Sequence, residues 1–196
     1  MARGGKLPFF AIRRYLLMDE ANVKFKNLFE IFESVICALV AVILLLTFGF
    51  RVVTVSGSSM EPTLSNMDKV VISHMFYKPK TGDVVVLDSD IYPETLIKRL
   101  IATEGQTVSI SAQDGSVTVD GVKLDEPYIA EAINADHMGN WEYPIVVPPG
   151  KVFVMGDNRN KSTDSRFSLV GMVDERYIIG KVYLRIWPLS NFKVVK

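Results

Sequence analysis

A single cysteine, Cys37, excludes an intramolecular disulfide, and its place inside an apolar run says nothing about redox compartment. Only two histidines occur, His74 and His137, far apart and without metal-ligand spacing. With no CxxC or HExxH pattern either, no metal site is expected, and each histidine reads as solvated or locally hydrogen-bonded. Net charge is also missing: 22 basic and 22 acidic residues cancel. Beyond residue 33 the balance is −2, a poor match to the basic stripe of a nucleic-acid binder, so no nucleic-acid partner is expected. No internal repeat or low-complexity segment is present. At 196 residues the chain can hold one ordinary domain and an anchor.

What is present begins with "SVICALVAVILLLTFGF", Ser34–Phe50, 17 uncharged residues between Glu33 and Arg51. As a helix it spans roughly 25 Å, the short end of a transmembrane length. Leu28, Phe29 and Phe32 share a face just before it, so the helix should start earlier. A cleaved signal would sit nearer the N-terminus and end in small residues, whereas this run ends "TFGFRVV". Arg3, Lys6, Arg13, Arg14, Lys24 and Lys26 precede the span, while Arg51 and Lys69 follow closely. The positive-inside rule therefore favours an inside N-terminus. The expected division is a cytoplasmic segment 1–33, a transmembrane helix 34–50 and an extracytoplasmic β-rich domain 51–196.

After residue 51 the pattern turns to short Val- and Ile-rich runs: "KVVIS", "GDVVVLD", "TVSIS", "SVTV", "KVFVMG" and "IIGKVYLRI". Asp114-Gly115 and Asp120-Gly121 fall between such runs as hairpin turns. Residues 130–147 read as an irregular insertion. The expected fold is mainly β: an antiparallel β-sheet catalytic domain tethered by one N-terminal transmembrane helix.

Three segments could carry chemistry. In "SGSSMEPTL", Gly57 permits unusual backbone angles and Pro62 restricts Glu61, so the turn could mount a hydroxyl rigidly or be an ordinary loop. A serine there needs a base. In "TLIKRLIATEG" both faces of a strand are apolar and carry two cations, Lys98 and Arg99. Arg99 stays charged and must find an anion or water. Lys98 either runs along the apolar face to solvent or loses its proton on burial and becomes a base. "GDNRNKSTDSR", residues 156–166, is a solvated loop or a polar shelf braced by an Asp164–Arg166 pair.

In this order behind a membrane span, these segments resemble the bacterial type I signal peptidases, the serine–lysine leader peptidases. The matching motifs are Ser59-Met60-Glu61-Pro62-Thr63-Leu64, Thr81-Gly82-Asp83-Val84-Val85, Lys98-Arg99 with Gly105-Gln106-Thr107-Val108, and Gly156-Asp157-Asn158 with Ser162, Asp164-Ser165-Arg166. The resemblance covers nearly all of residues 34–189. It implies Ser59 as nucleophile and Lys98 as general base, with Ser162 orienting the amine and Asp164 and Arg166 bracing the site. It implies no cofactor. The implied partners are exported preproteins carrying signal peptides, membrane lipid and the secretion translocon. Some members place a second oxyanion-donating serine two positions before the nucleophile; here that position is Gly57. The family's preference for small residues before the cut makes Met60 and the strands around Val84 and Leu100 candidate pocket linings.

Two other readings compete. A self-cleaving repressor-type peptidase shares a related β core but has no reason to carry a span. A membrane-tethered β domain without peptidase activity would not need to keep both Ser59 and Lys98.

Overall fold

The computed structural model describes residues 9–88 and 95–195. Arg3 and Lys6, counted above for topology, lie outside the described residues. One helix, α1, runs from Phe9 to Gly49, so the apolar run 34–50 lies almost wholly within a longer helix. Its stretch Lys26–Thr47 is long and apolar enough to cross a membrane. Leu39, Ile43 and Leu46 each expose more than half their surface, so no core formed by the described residues covers them. The helix as far as Phe48 and the chain from Gly49 onward form two separate compact units.

The second unit is antiparallel β throughout its described strands. In chain order these are β1 (Arg51–Thr54), β2 (Lys69–Ser73), β3 (Val84–Leu87), β4 (Leu96–Ala102), β5 (Thr107–Ile110) and β6 (Val117–Val119). They continue with β7 (Val122–Lys123), β8 (Ile145–Val146), β9 (Lys151–Met155), β10 (Val173–Asp174), β11 (Ile178–Trp187) and β12 (Lys193–Val194). The larger sheet has the order β1-β2-β11-β3-β4-β9-β10, with β12 added to β11. The smaller has the order β7-β6-β5-β8. Every Val- and Ile-rich run named above contains a strand. The expected turns join β5 to β6 and β6 to β7. At the second of these, Asp120 and Gly121 both take positive φ, as a two-residue hairpin requires.

Three apolar clusters meet along β4. Ile97 packs with Met60, Leu64 and Val86, Ile101 packs with Val108 and Phe153, and Leu100 packs with Val85 and Val154. The strand is buried on both faces, as its sequence predicts. That placement puts Lys98 and Arg99 out of water, at 3% and 1% exposure. The 130–147 segment is less irregular than expected: it contains a 3-10 turn, Ala135–His137, and β8, which pairs with β5.

Candidate active site

Ser59 lies on a turn fastened at both ends. Met60 and Leu64, just after it, are fully buried plugs in the first apolar cluster. Before it, Gly57 takes φ +83 and its N–H donates to Asn66 Oδ1 at 3.0 Å. Across the turn, Asn158 grips the backbone: its N–H donates to the Ser59 carbonyl at 3.0 Å and its Nδ2 to the Ser58 carbonyl at 3.1 Å. The Ser59 side chain is thus held by bonds to its backbone, which leaves the hydroxyl available for chemistry.

Lys98 meets it from β4. The amine Nζ lies 2.7 Å from Ser59 Oγ, within hydrogen-bonding distance. Burial pushes the pKa of this amine down from 10.5 to about 8; the Asp164 carboxylate opposes the fall, Arg166 adds to it, and Asp157 opposes it. Lys98 therefore does not run to solvent, and desolvation is the dominant influence on it.

The third segment supplies the frame. Asp164 is fully buried and accepts five hydrogen bonds, from Gly156 N–H, the Ser162 hydroxyl, and the N–H, Nε and Nη2 of Arg166. Arg166, also fully buried, sends its remaining donors to the carbonyls of His137, Arg159 and Ser162. The Ser162 hydroxyl donates to Asp164 Oδ2 at 2.7 Å; among the described residues it makes no bond to the Lys98 amine. Gly156 passes so close to Ser59 that a Cβ there would strike both the Ser59 carbonyl oxygen and Ser162 Oγ. Any side chain at 156 must therefore displace the turn that carries Ser59.

Residues whose roles the sequence left unassigned complete the site. Arg99 finds its anion in Asp157, with Nε to Oδ1 at 2.8 Å and Nη2 to Oδ2 at 2.7 Å. Thr63 Oγ1 donates to the same carboxylate at 2.5 Å, tying the turn that carries Ser59 to the β4 strand that carries Lys98. The Arg99 guanidinium lies 3.8 Å from the centre of the Tyr128 ring. An arginine in an apolar strand signalled that an anion was needed, but nothing local identified which one.

Two expectations need correction. Met60, Val84 and Leu100 themselves expose at most 1% of their surface and pack in the core, so any open lining from these strands comes from other residues. His137 is half-buried and its Nδ1 has no hydrogen-bond partner among the described residues, while its carbonyl accepts from Arg166 Nη1. His74 is exposed, as expected.

A family model described as "Signal peptidase, peptidase S26" matches residues 28–187. The chain belongs to the S26 signal peptidase family. Among similar members, signal peptidase I of Bacillus licheniformis is 34% identical over 191 residues, covering 90% of this chain and 98% of that protein. Signal peptidase IB of Staphylococcus aureus strain COL is 34% identical over 188 residues, covering 84% and 93% respectively. A solved signal peptidase I from Enterococcus faecalis V583 is 29% identical, with a TM-score of 0.44, covering 54% of this chain and 97% of that one. Within the matched residues, Ser59, Lys98 and the Gly156–Asn158 segment meet, with Ser59 half-buried and Lys98 buried.

Proposed function

We propose that this chain is a membrane-anchored serine endopeptidase that removes N-terminal signal peptides from exported preproteins. Ser59 is its nucleophile and Lys98 its general base. The observation that carries this reading is the 2.7 Å contact between Lys98 Nζ and Ser59 Oγ, made by a desolvated amine. In its neutral form Lys98 takes the hydroxyl proton as Ser59 Oγ attacks the scissile carbonyl. The carbonyl oxygen becomes an oxyanion facing the Ser59 N–H, which donates to no other group among the described residues. Lys98 then returns the proton to the leaving amine, freeing the mature protein and leaving the signal peptide esterified to Ser59. The neutral amine next activates water, which cleaves the ester and releases the signal peptide with a new carboxylate.

Asp164 and Arg166 fix the loop that presses Gly156 against the nucleophile, and Ser162 holds Asp164 in place. Helix α1 anchors the peptidase in the bilayer, where its substrates' leaders also lie, with the N-terminus on the cytoplasmic side and the β-rich catalytic domain outside the cytoplasm. Such substrates reach the site as they leave the secretion translocon.

The test is cleavage of a model preprotein in lipid vesicles by the full chain and by Ser59→Ala. Wild type should cut after a small residue at the end of the leader. The variant, folded by circular dichroism, should release no mature protein. Cleavage by Ser59→Ala at the wild-type rate would remove the serine from the mechanism.

A further inference from the structure

Segment 132–143 is bonded at several points to the loop 156–168, the catalytic loop, which carries Ser162, Asp164 and Arg166. The Ala132 carbonyl accepts from Asn160 Nδ2 at 3.0 Å, and the Asn134 N–H donates to Asn160 Oδ1 at 2.9 Å. The His137 carbonyl accepts from Arg166 Nη1 at 2.8 Å, and the Asn140 N–H donates to the Arg166 carbonyl at 2.9 Å. Trp141 Nε1 donates to the Ser165 carbonyl at 2.8 Å, and Asn140 Oδ1 accepts from the Ser168 N–H at 3.1 Å. Gly139, at φ +91, approaches so closely that a Cβ would strike the Arg166 carbonyl oxygen.

These bonds are arranged to oppose those from the sheet. On its other side Ser165 is tied to β9: its N–H donates to the Val154 carbonyl at 3.0 Å and its Oγ accepts from the Val154 N–H at 3.0 Å. The loop is therefore gripped from two directions, by a strand and by a segment whose only regular structure before β8 is one 3-10 turn. A contact path then leads inward from Trp141 through Ser165, Arg166, Asp164 and Gly156 to the Ser59 carbonyl.

We infer that segment 132–143 is a clasp that sets the position of the catalytic loop, with Trp141 as its principal positioning residue. The inference rests on the Ser59–Lys98 reading above. Trp141 touches no reacting atom; it acts by keeping Ser165 and Arg166 where Asp164 can hold Gly156 against the nucleophile. A loosened clasp would also let water reach the Lys98 amine, reducing the desolvation that lowers its pKa.

Trp141→Phe tests this, because it keeps an aromatic ring while deleting the indole N–H that bonds the Ser165 carbonyl, together with part of the ring's bulk. The full chain in lipid vesicles should lose about tenfold in kcat with KM nearly unchanged. The acid limb of its kcat profile should move to higher pH. Asn140→Ala, which removes only the Ser168 acceptor, should shift both in the same direction by less, and it decides the matter if Trp141→Phe does not fold. Rates are expressed per folded molecule, measured by thermal unfolding. Wild-type kcat and pH profile in a folded variant would overturn the clasp, as would a loss explained wholly by the unfolded fraction. With Ser59→Ala run alongside, an inert Ser59→Ala beside an unchanged Trp141→Phe would show that the clasp alone has failed. Cleavage by Ser59→Ala would overturn both.

Discussion

Lys98→Met is expected to lower preprotein cleavage by about a thousandfold or more while leaving the protein folded, because methionine keeps the volume and cannot accept a proton. The same change should raise stability at neutral pH. The folded amine titrates at about 8 against an ordinary value of 10.5. Below about 8 both states carry the proton, and the folded state bears the full cost of a buried charge. Between the two values the unfolded chain binds more protons, so wild-type stability should climb with pH across that window by about 3 kcal/mol. Lys98→Met should lack this climb. Denaturant unfolding at about pH 7 and about pH 10 reads both effects. Turnover within about tenfold of wild type, or an unchanged pH dependence of its stability, would show that Lys98 is not the buried base.

Asp164→Asn should be the most destabilising polar substitution near the site. Five donors converge on the two carboxylate oxygens of Asp164, whereas an amide offers one oxygen and turns two further donors toward them. Arg166, with no side-chain exposure, is then left without its counter-charge. Breaking a buried pair on one side costs about 3–5 kcal/mol, enough to consume a large part of an ordinary domain's stability. The urea midpoint should fall accordingly, and cleavage should fall with it as Gly156 and Ser162 lose their anchor. A midpoint near that of wild type would mean that the frame is held chiefly by the clasp and β9.

Much of this architecture was legible in the sequence for local reasons. Short alternating or wholly apolar runs marked the longer strands, and Asp-Gly pairs marked the turns of the smaller sheet. Apolar residues on both sides of Lys98 and Arg99 announced that β4 would be buried. Other features had no local signal. Strand β1, "RVVT", follows directly on the apolar run and has no periodicity of its own to separate it. Strands β8 and β12 are two residues each and exist only through their partners. The pairing of Arg99 with Asp157 spans 58 positions and that of Thr63 with Asp157 spans 94, distances at which sequence pattern is silent. Residues 130–147 looked shapeless because their bonds run to carbonyls and amides of a distant loop, and such partners leave no mark on residue type. The motif resemblance supplied Ser162, Asp164 and Arg166, while the geometry supplied what each one touches.

The central claim is that a lysine whose pKa burial lowers to about 8, bringing its neutral form within reach, activates Ser59 in place of a histidine. Its most direct test is kcat/KM for preprotein cleavage by the wild-type chain, followed from about pH 6 to about pH 10. A rate that rises with a midpoint near the Lys98 value of about 8 is the predicted result. A midpoint near 6.5, the ordinary histidine value, or one that appears only above about 10 would contradict it.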